Sequence, residues 1–147
     1  MTRLEIDRSA PVTCRAETAV AAAPEEVWAA LVGVAQWTEW NTEILAARLD
    51  GPLEAGSTIH WQAGGMDIQS RLVRVEPYRQ LIWNGTHGAV HVWTLSAEDG
   101  KTTVTNEESI SEGPALDTAD AMTAQLQAFL ERWNMLLKAC AEAGPTA

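Results

Sequence analysis

At 147 residues the chain fits one domain, large enough to bury roughly 70% of the surface its unfolded form would expose. A net charge of -10, with ten Lys and Arg scattered along the chain, argues against nucleic acid or an anionic membrane as partner, because both reward clustered basic residues. The start, MTRLEIDRSAPV, has no apolar h-region, and no apolar run approaches the roughly 20 residues of a spanning helix, so a cytoplasmic protein without membrane insertion is expected.

Residues 12 to 22 alternate. Val12, Cys14, Ala16, Thr18 and Val20 share one face and Thr13, Arg15, Glu17 and Ala19 the other, which predicts a half-buried first strand. Pro24, then Glu25 and Glu26, then Gly33 mark a short helix. Proline loses no needed N–H at a helix start, and carboxylates favour the positive end. A second helical turn, Val34 to Trp40, brings Trp37 and Trp40 to one side by i, i+3 spacing, and Asn41 ends it.

Residues 43 to 50 and 57 to 63 read as strands joined by the turn-rich GPLEAG. Gly64-Gly65 closes a tight hairpin, and a two-residue loop there pairs Trp61 with Ile68 and Ile59 with Ser70. Trp61, Ile68 and Ser70 then face inward, while His60, Gln62, Asp67 and Gln69 face solvent. After the break at Pro77 the chain resumes as Leu81-Ile82-Trp83, turns through GTHG and runs on over residues 89 to 97. His87, in that turn, reads as exposed.

The last hairpin carries the sharpest local signal. Asp99-Gly100 is a favoured type I′ pair, and as a two-residue loop it sets Glu98 opposite Lys101. Counting back, Leu95 pairs with Val104, Trp93 with Asn106, and His91 with Glu108. Leu95 and Val104 must face the core, so His91, Trp93, Asn106 and Glu108 point inward with them. With THG as a three-residue loop, Trp83 falls opposite His91 on its other side.

From Asp117 to Ala143, Leu116, Ala119, Met122, Leu126, Phe129, Leu130, Trp133, Leu137 and Cys140 trace a helical stripe that Gly144-Pro145 ends. Such a helix is roughly 40 Å long, enough to cross the concave face of a curved sheet. The order of elements predicts an α+β fold. A curved antiparallel sheet of about seven strands wraps around a long C-terminal helix, with two short helices after the first strand. One domain spans 1–147, its core about 12–143. Space between a curved sheet and a single helix suits a ligand cavity.

The residues then resemble a known family. A strand, the PEEVW helix, WxxWN, VEP-x-R-x-L-x-W, HVW-x-L, DGKTTVTNEE and a long helix together resemble the polyketide cyclase/dehydrase branch of the START and birch-pollen-allergen superfamily, the helix-grip proteins. The resemblance covers about residues 12 to 143 and departs from the usual pattern at Thr42, where proline is common. It implies the helix-grip fold. The superfamily includes aromatic polyketide cyclases, lipid carriers, plant hormone receptors, ring-forming alkaloid synthases and chaperone activators, so the fold leaves the function open.

An imidazole and a carboxylate opposite each other on an inner sheet face can hydrogen-bond and carry general acid–base chemistry. Glu108 and His91 are therefore candidate base and acid, with Asn106 steadying a developing oxyanion. A satisfied structural pair is the plainer reading of the same residues. The chain has seven Trp against a single Tyr78 and a single Phe129. Trp28 and Trp133 sit on helix faces and read as core. Trp37, Trp40, Trp61, Trp83 and Trp93, with Met66 and Ser70, are candidate walls for a flat apolar ligand, although core packing alone would account for two or three of those tryptophans. Leu126, Leu130 and Trp133 would line the same space from the helix.

Cys14 and Cys140 lie at opposite ends without CxxC or metal-ligand spacing, so both read as reduced thiols. No Ser-His-Asp series, phosphate loop, dinucleotide fingerprint or metal motif appears, so neither cofactor nor metal is expected. Two functions follow. One is a cofactor-independent cyclase, dehydratase or isomerase acting on a polyketide-like or aromatic substrate. The other is a non-catalytic carrier or sensor of a hydrophobic ligand, with chaperone activation as a third. A monomer or a homodimer suits either.

Overall fold

Two glycine-containing turns hold the sheet in register. The structure, a computed structural model, describes residues 2–144. Gly64 and Gly65 have φ of 60° and 75°, and Asp99 and Gly100 have φ of 51° and 75°. Both turns thus have the paired positive φ of a type I′ hairpin, which matches the right-handed twist of the strands.

The strands are β1 (Val12–Val20), β2 (Ile44–Asp50), β3 (Thr58–Ala63), β4 (Met66–Glu76), β5 (Gln80–Asn84), β6 (Val90–Glu98) and β7 (Lys101–Ile110). They form one antiparallel sheet in the order β1-β7-β6-β5-β4-β3-β2. Helix α1 (Pro24–Val32), a 3₁₀ turn (Val34–Gln36) and the one-turn α2 (Trp37–Trp40) follow β1. The long helix α3 (Ala119–Ala143) ends the fold. It starts two residues later than the sequence pattern places it, because Gly113 at φ 91° and Pro114 wind Pro114–Thr118 into a 3₁₀ turn first. Gly144 closes the helix by donating its N–H to the Ala141 carbonyl, and Pro145 lies outside the described residues.

The pairings read from the sequence are present: Trp61 with Ile68, Ile59 with Ser70, Leu95 with Val104, Trp93 with Asn106, His91 with Glu108 and Trp83 with His91. Trp61 and Ser70 are buried and Ile68 is half-buried, whereas Gln62, Asp67 and Gln69 are exposed. His60 is half-buried on the outer face, its Nε2 3.5 Å from Asp50 Oδ2.

The concave face is filled by indoles. Trp37, Trp93 and Trp133 are 0% exposed, Trp83 3% and Trp61 7%. Trp133 of α3 stands 5.1 to 5.4 Å from the rings of Trp93, Trp37 and Trp61. Edge-to-face and tilted contacts of this kind add about 0.5–1.5 kcal/mol per pair to the burial of the rings. The space in which a cavity was expected is therefore occupied by the side chains expected to line it. Clefts of about 720 and 420 Å³ lie elsewhere, one against residues 2–8 with Arg74 and Gln80, the other at Ala46–Arg48, His60–Gln62 and Asp67–Gln69.

Met66 is corrected as a wall residue. It directly follows the Gly64-Gly65 turn, so its side chain projects from the hairpin tip and is 58% exposed. Trp40, at the end of α2, is only half-buried, packed against the edge of the core.

One edge of the sheet and part of its outer face are covered in ways the sequence pattern does not display. Gln127 of α3 accepts from the Arg15 N–H at 3.1 Å and donates to the Arg15 carbonyl at 2.7 Å, so helix side chains occupy the free edge of β1. On the outer face, Ile6 packs on Ile82, Val90 and Val92. The Asn84 amide holds the backbone N–H and carbonyl of Arg3 at 2.9 and 3.0 Å. No helix among the described residues is long and apolar enough to cross a membrane.

Trp133→Ala should lower unfolding free energy by about 3–5 kcal/mol, the usual loss for deleting a fully buried aromatic. Met66→Ser should stay within about 0.5 kcal/mol of the parent, as an exposed substitution does. Urea denaturation of the two variants checks both values.

Candidate functional site

Period-two alternation puts a row of polar groups among the indoles. On the concave face Glu108 stands between Cys14 of β1 and His91 of β6, and Asn106 stands between Ala16 and Trp93. Asn106 is thus diagonal to His91, within reach of a long side chain. His91 is 2% exposed, and Asn106 is fully buried. The imidazole stacks on Trp93, with centroids 5.4 Å apart and planes at 7°, and lies 4.7 Å from Trp83.

Both ring nitrogens have close polar neighbours. Nε2 is 2.5 Å from Asn106 Oδ1. Nδ1 is 2.9 Å from Glu108 Oε1, but that oxygen lies off the N–H direction, so the contact is close without being an aligned hydrogen bond. The chain continues beyond Asn106. Asn106 Nδ2 donates to Asn134 Oδ1 at 3.2 Å, and Asn134 Nδ2 donates to Thr18 Oγ1 at 3.3 Å. A polar relay therefore runs Glu108, His91, Asn106, Asn134, Thr18, from β7 across to β6 and back to α3 and β1.

Thr18 at one end of the relay is half-buried, and Glu108 at the other has 16% of its side chain exposed against 2% for His91. Beside Glu108, burial first and the Glu108 charge second push the Cys14 thiol up to about 11 from an ordinary 9.0. Cys14 also donates to the Thr123 carbonyl of α3 at 3.3 Å. It is a protonated core thiol, not a nucleophile. Among the described residues, no group of three or more His, Cys, Asp and Glu stands close enough to hold a metal ion.

The other predicted site residues divide. Ser70 accepts from Trp61 Nε1 at 3.0 Å, so its role is to satisfy an indole. Trp37 Nε1 donates to the Leu31 carbonyl at 2.9 Å. Trp93 and Trp133 keep buried indole N–H groups with no acceptor. Leu130 is fully buried beside Cys14 and Ala16, and Leu126 packs there half-buried. His87 is exposed in the β5–β6 turn, its carbonyl accepting the Glu112 N–H at 3.0 Å.

Asn134 and Thr18 escape a sequence reading of the site. The signal for Asn134 was present: a polar residue four positions after Leu130 and seven before Ala141, in phase with the buried stripe. A stripe traced through apolar residues alone passes over it.

A curved seven-stranded antiparallel sheet closed on a long C-terminal helix, with two short helices after the first strand, defines the helix-grip fold. The chain belongs within it to the family described as polyketide cyclase / dehydrase and lipid transport, whose profile matches residues 11–138. A search of curated proteins finds no match.

Among solved structures it is similar to the Aha1 dimer from Colwellia psychrerythraea at 20% identity and a TM-score of 0.72, over 92% of this chain and 99% of that one. DynU16 from the dynemicin biosynthetic locus is similar at 25% identity and a TM-score of 0.70, over 90% of this chain and 48% of that one. The di-domain ARO/CYC StfQ of the steffimycin biosynthetic pathway matches at 13% identity and a TM-score of 0.72, over 90% of this chain and 52% of its own. The chain thus spans about half the length of the last two.

The raised Cys14 pKa has a stability consequence with a definite sign. The folded state keeps the thiol protonated after the unfolded chain ionises, so this contribution is present below about pH 9 and acts against folding as pH rises from 9.0 towards about 11. Urea denaturation across that window should show a flatter pH dependence for Cys14→Ala than for the parent.

Proposed function

We propose that the protein binds a flat, largely apolar small molecule against its concave face and transforms it by proton transfer at Glu108, without a cofactor. The reaction class is cyclisation, dehydration or isomerisation of a polyketide-like or aromatic substrate, carried out in the cytoplasm by a monomer or a homodimer. One observation carries this reading: a histidine and a carboxylate 2.9 Å apart on the concave face, the histidine buried and the carboxylate partly open to solvent. That asymmetry suits a group that meets substrate and a group that supports it from behind.

Two further observations support the ligand class. The indole N–H groups of Trp93 and Trp133 are buried without acceptors, so a ligand bearing carbonyl or phenolic oxygens would relieve donors that otherwise go unpaired. The first half of α3 is also the less deeply seated half. Met122, Leu126 and Phe129 are half-buried there, whereas Leu130, Trp133 and Leu137 beyond it are fully buried. On this reading the ligand enters by lifting the first turns of α3, and Phe129, stacked 6.5 Å from Trp61, gives way. The polyketide cyclase / dehydrase half of the family description supports a polyketide-like substrate, and its lipid-transport half supports carriage as the alternative.

Flat aromatic ligands carrying carbonyl groups should quench tryptophan fluorescence on titration. In a turnover assay on the ligand that binds, Glu108→Gln should keep the fold and lower kcat by about 10²-fold or more, a typical general acid–base contribution. Altered affinity with no turnover in either protein would make the chain a carrier. Unchanged binding and unchanged turnover in Glu108→Gln would remove Glu108 from the chemistry.

A further inference from the structure

We infer that Asn134, acting through Asn106, holds His91 with its proton on Nε2, and that the His91–Glu108 pair consequently rests in a proton-loaded, acid-ready form. This deepens the proposed chemistry at Glu108 and rests on that reading for its catalytic consequence, though not for its structural claim.

Asn134 spends its Nδ2 on Thr18 Oγ1, which leaves Oδ1 to accept. Asn106 Nδ2 donates to that oxygen, which turns Asn106 Oδ1 towards His91. An amide oxygen 2.5 Å from Nε2 has to be met by an N–H, so His91 carries hydrogen on Nε2. The question then moves to the other nitrogen. If Nδ1 and Glu108 Oε1, 2.9 Å apart, were both bare, two lone pairs would oppose each other in a buried site. The pair therefore carries one proton beyond the Nε2 hydrogen, on Nδ1 or on the Glu108 carboxyl, as imidazolium beside carboxylate or as imidazole beside a carboxylic acid.

Either form has a proton to give at Glu108, whose side chain is partly open to solvent. The chemical consequence is directional. A site resting in this form begins by protonating its substrate, as in acid-assisted loss of a hydroxyl group as water. A substrate C–H proton would be abstracted only after that first proton has left. The pair's proton goes to the hydroxyl oxygen as the C–O bond breaks and water leaves, and the proton then lost from the neighbouring carbon, whose C–H electrons form the C=C bond, reloads the pair. Turning over both amides would reverse this. Asn106 would then offer Nδ2 to a bare Nε2, His91 would carry its proton on Nδ1 facing an ordinary carboxylate, and the site would rest as a base.

Asn134 and Thr18 are positioning residues in this scheme, since neither reaches a substrate. The test needs no substrate. In protein labelled with ¹⁵N histidine, with His91 assigned by its loss in His91→Gln, long-range ¹H–¹⁵N correlation near neutral pH should find Nε2 protonated. Asn134→Leu, which removes the acceptor for Asn106, should give His91 a population with bare Nε2, and Asn134→Asp, which keeps an acceptor, should restore the parent signature. If Asn134→Leu does not fold, Thr18→Val releases the same amide chain from its far end and should produce the same mixture. A bare Nε2 in the parent protein would overturn the inference, and so would an unchanged His91 signature in Asn134→Leu, or in Thr18→Val if that variant stands in for it. Glu108→Gln kinetics decide the proposed function separately, so the two can fail independently.

Discussion

The seating of Trp133 in the hollow of the sheet is the contact on which the rest of the molecule depends. Its ring meets those of Trp37, Trp61, Trp83, Trp93 and Phe129, and it stands 5.7 Å from His91. These partners come from α2, β3, β5, β6 and α3 itself, so one side chain ties the helix to α2 and to three of the seven strands. A curved sheet and a single helix leave more room than aliphatic side chains fill, and this chain fills it with indoles. The tight fit also sets the terms of function, because any ligand on this face has to replace aromatic contacts and not merely occupy an empty space.

Within that packing the polar relay is the exception. Fully buried Asn106 and Asn134 and nearly buried His91 are costly unless each finds partners, and their close contacts with Glu108, one another and Thr18 offset that cost. Low polarity strengthens such a chain and makes it directional, since one amide turned over leaves two donors or two acceptors facing. Stability and chemistry are therefore coupled at the same atoms. The indole N–H groups of Trp93 and Trp133 stand beside this satisfied network as unpaired donors, a difference that separates groups serving the fold from groups open to a ligand.

Family membership limits the possibilities without choosing among them. The same fold occurs in the Aha1 dimer and in the di-domain ARO/CYC StfQ, and a fold leaves activity to the side chains it carries. In this chain the tryptophans gather around the His91–Glu108 pair, and part of the outer face is covered by Ile6, the Arg3 backbone and the Asp7 N–H.

The sequence by itself determined the fold and the inner row of the site. Asp99-Gly100 and Gly64-Gly65 admit only narrow turn geometries, and once a turn is set, strict alternation dictates every facing pair, including His91 with Glu108. Those are local rules, so they were legible. Whether the concavity holds a cavity or a packed core depends on how indoles from five distant elements interlock, and no local period encodes that volume balance. The exposure of Met66 at the hairpin tip was hidden for a related reason. Alternation assigns it a face, but only the reach of the neighbouring helix decides whether that face is covered. Asn134 joined the site for the same reason: its partners lie 28 and 116 residues away in the chain, and only the closing of α3 over the sheet brings their atoms within hydrogen-bonding distance.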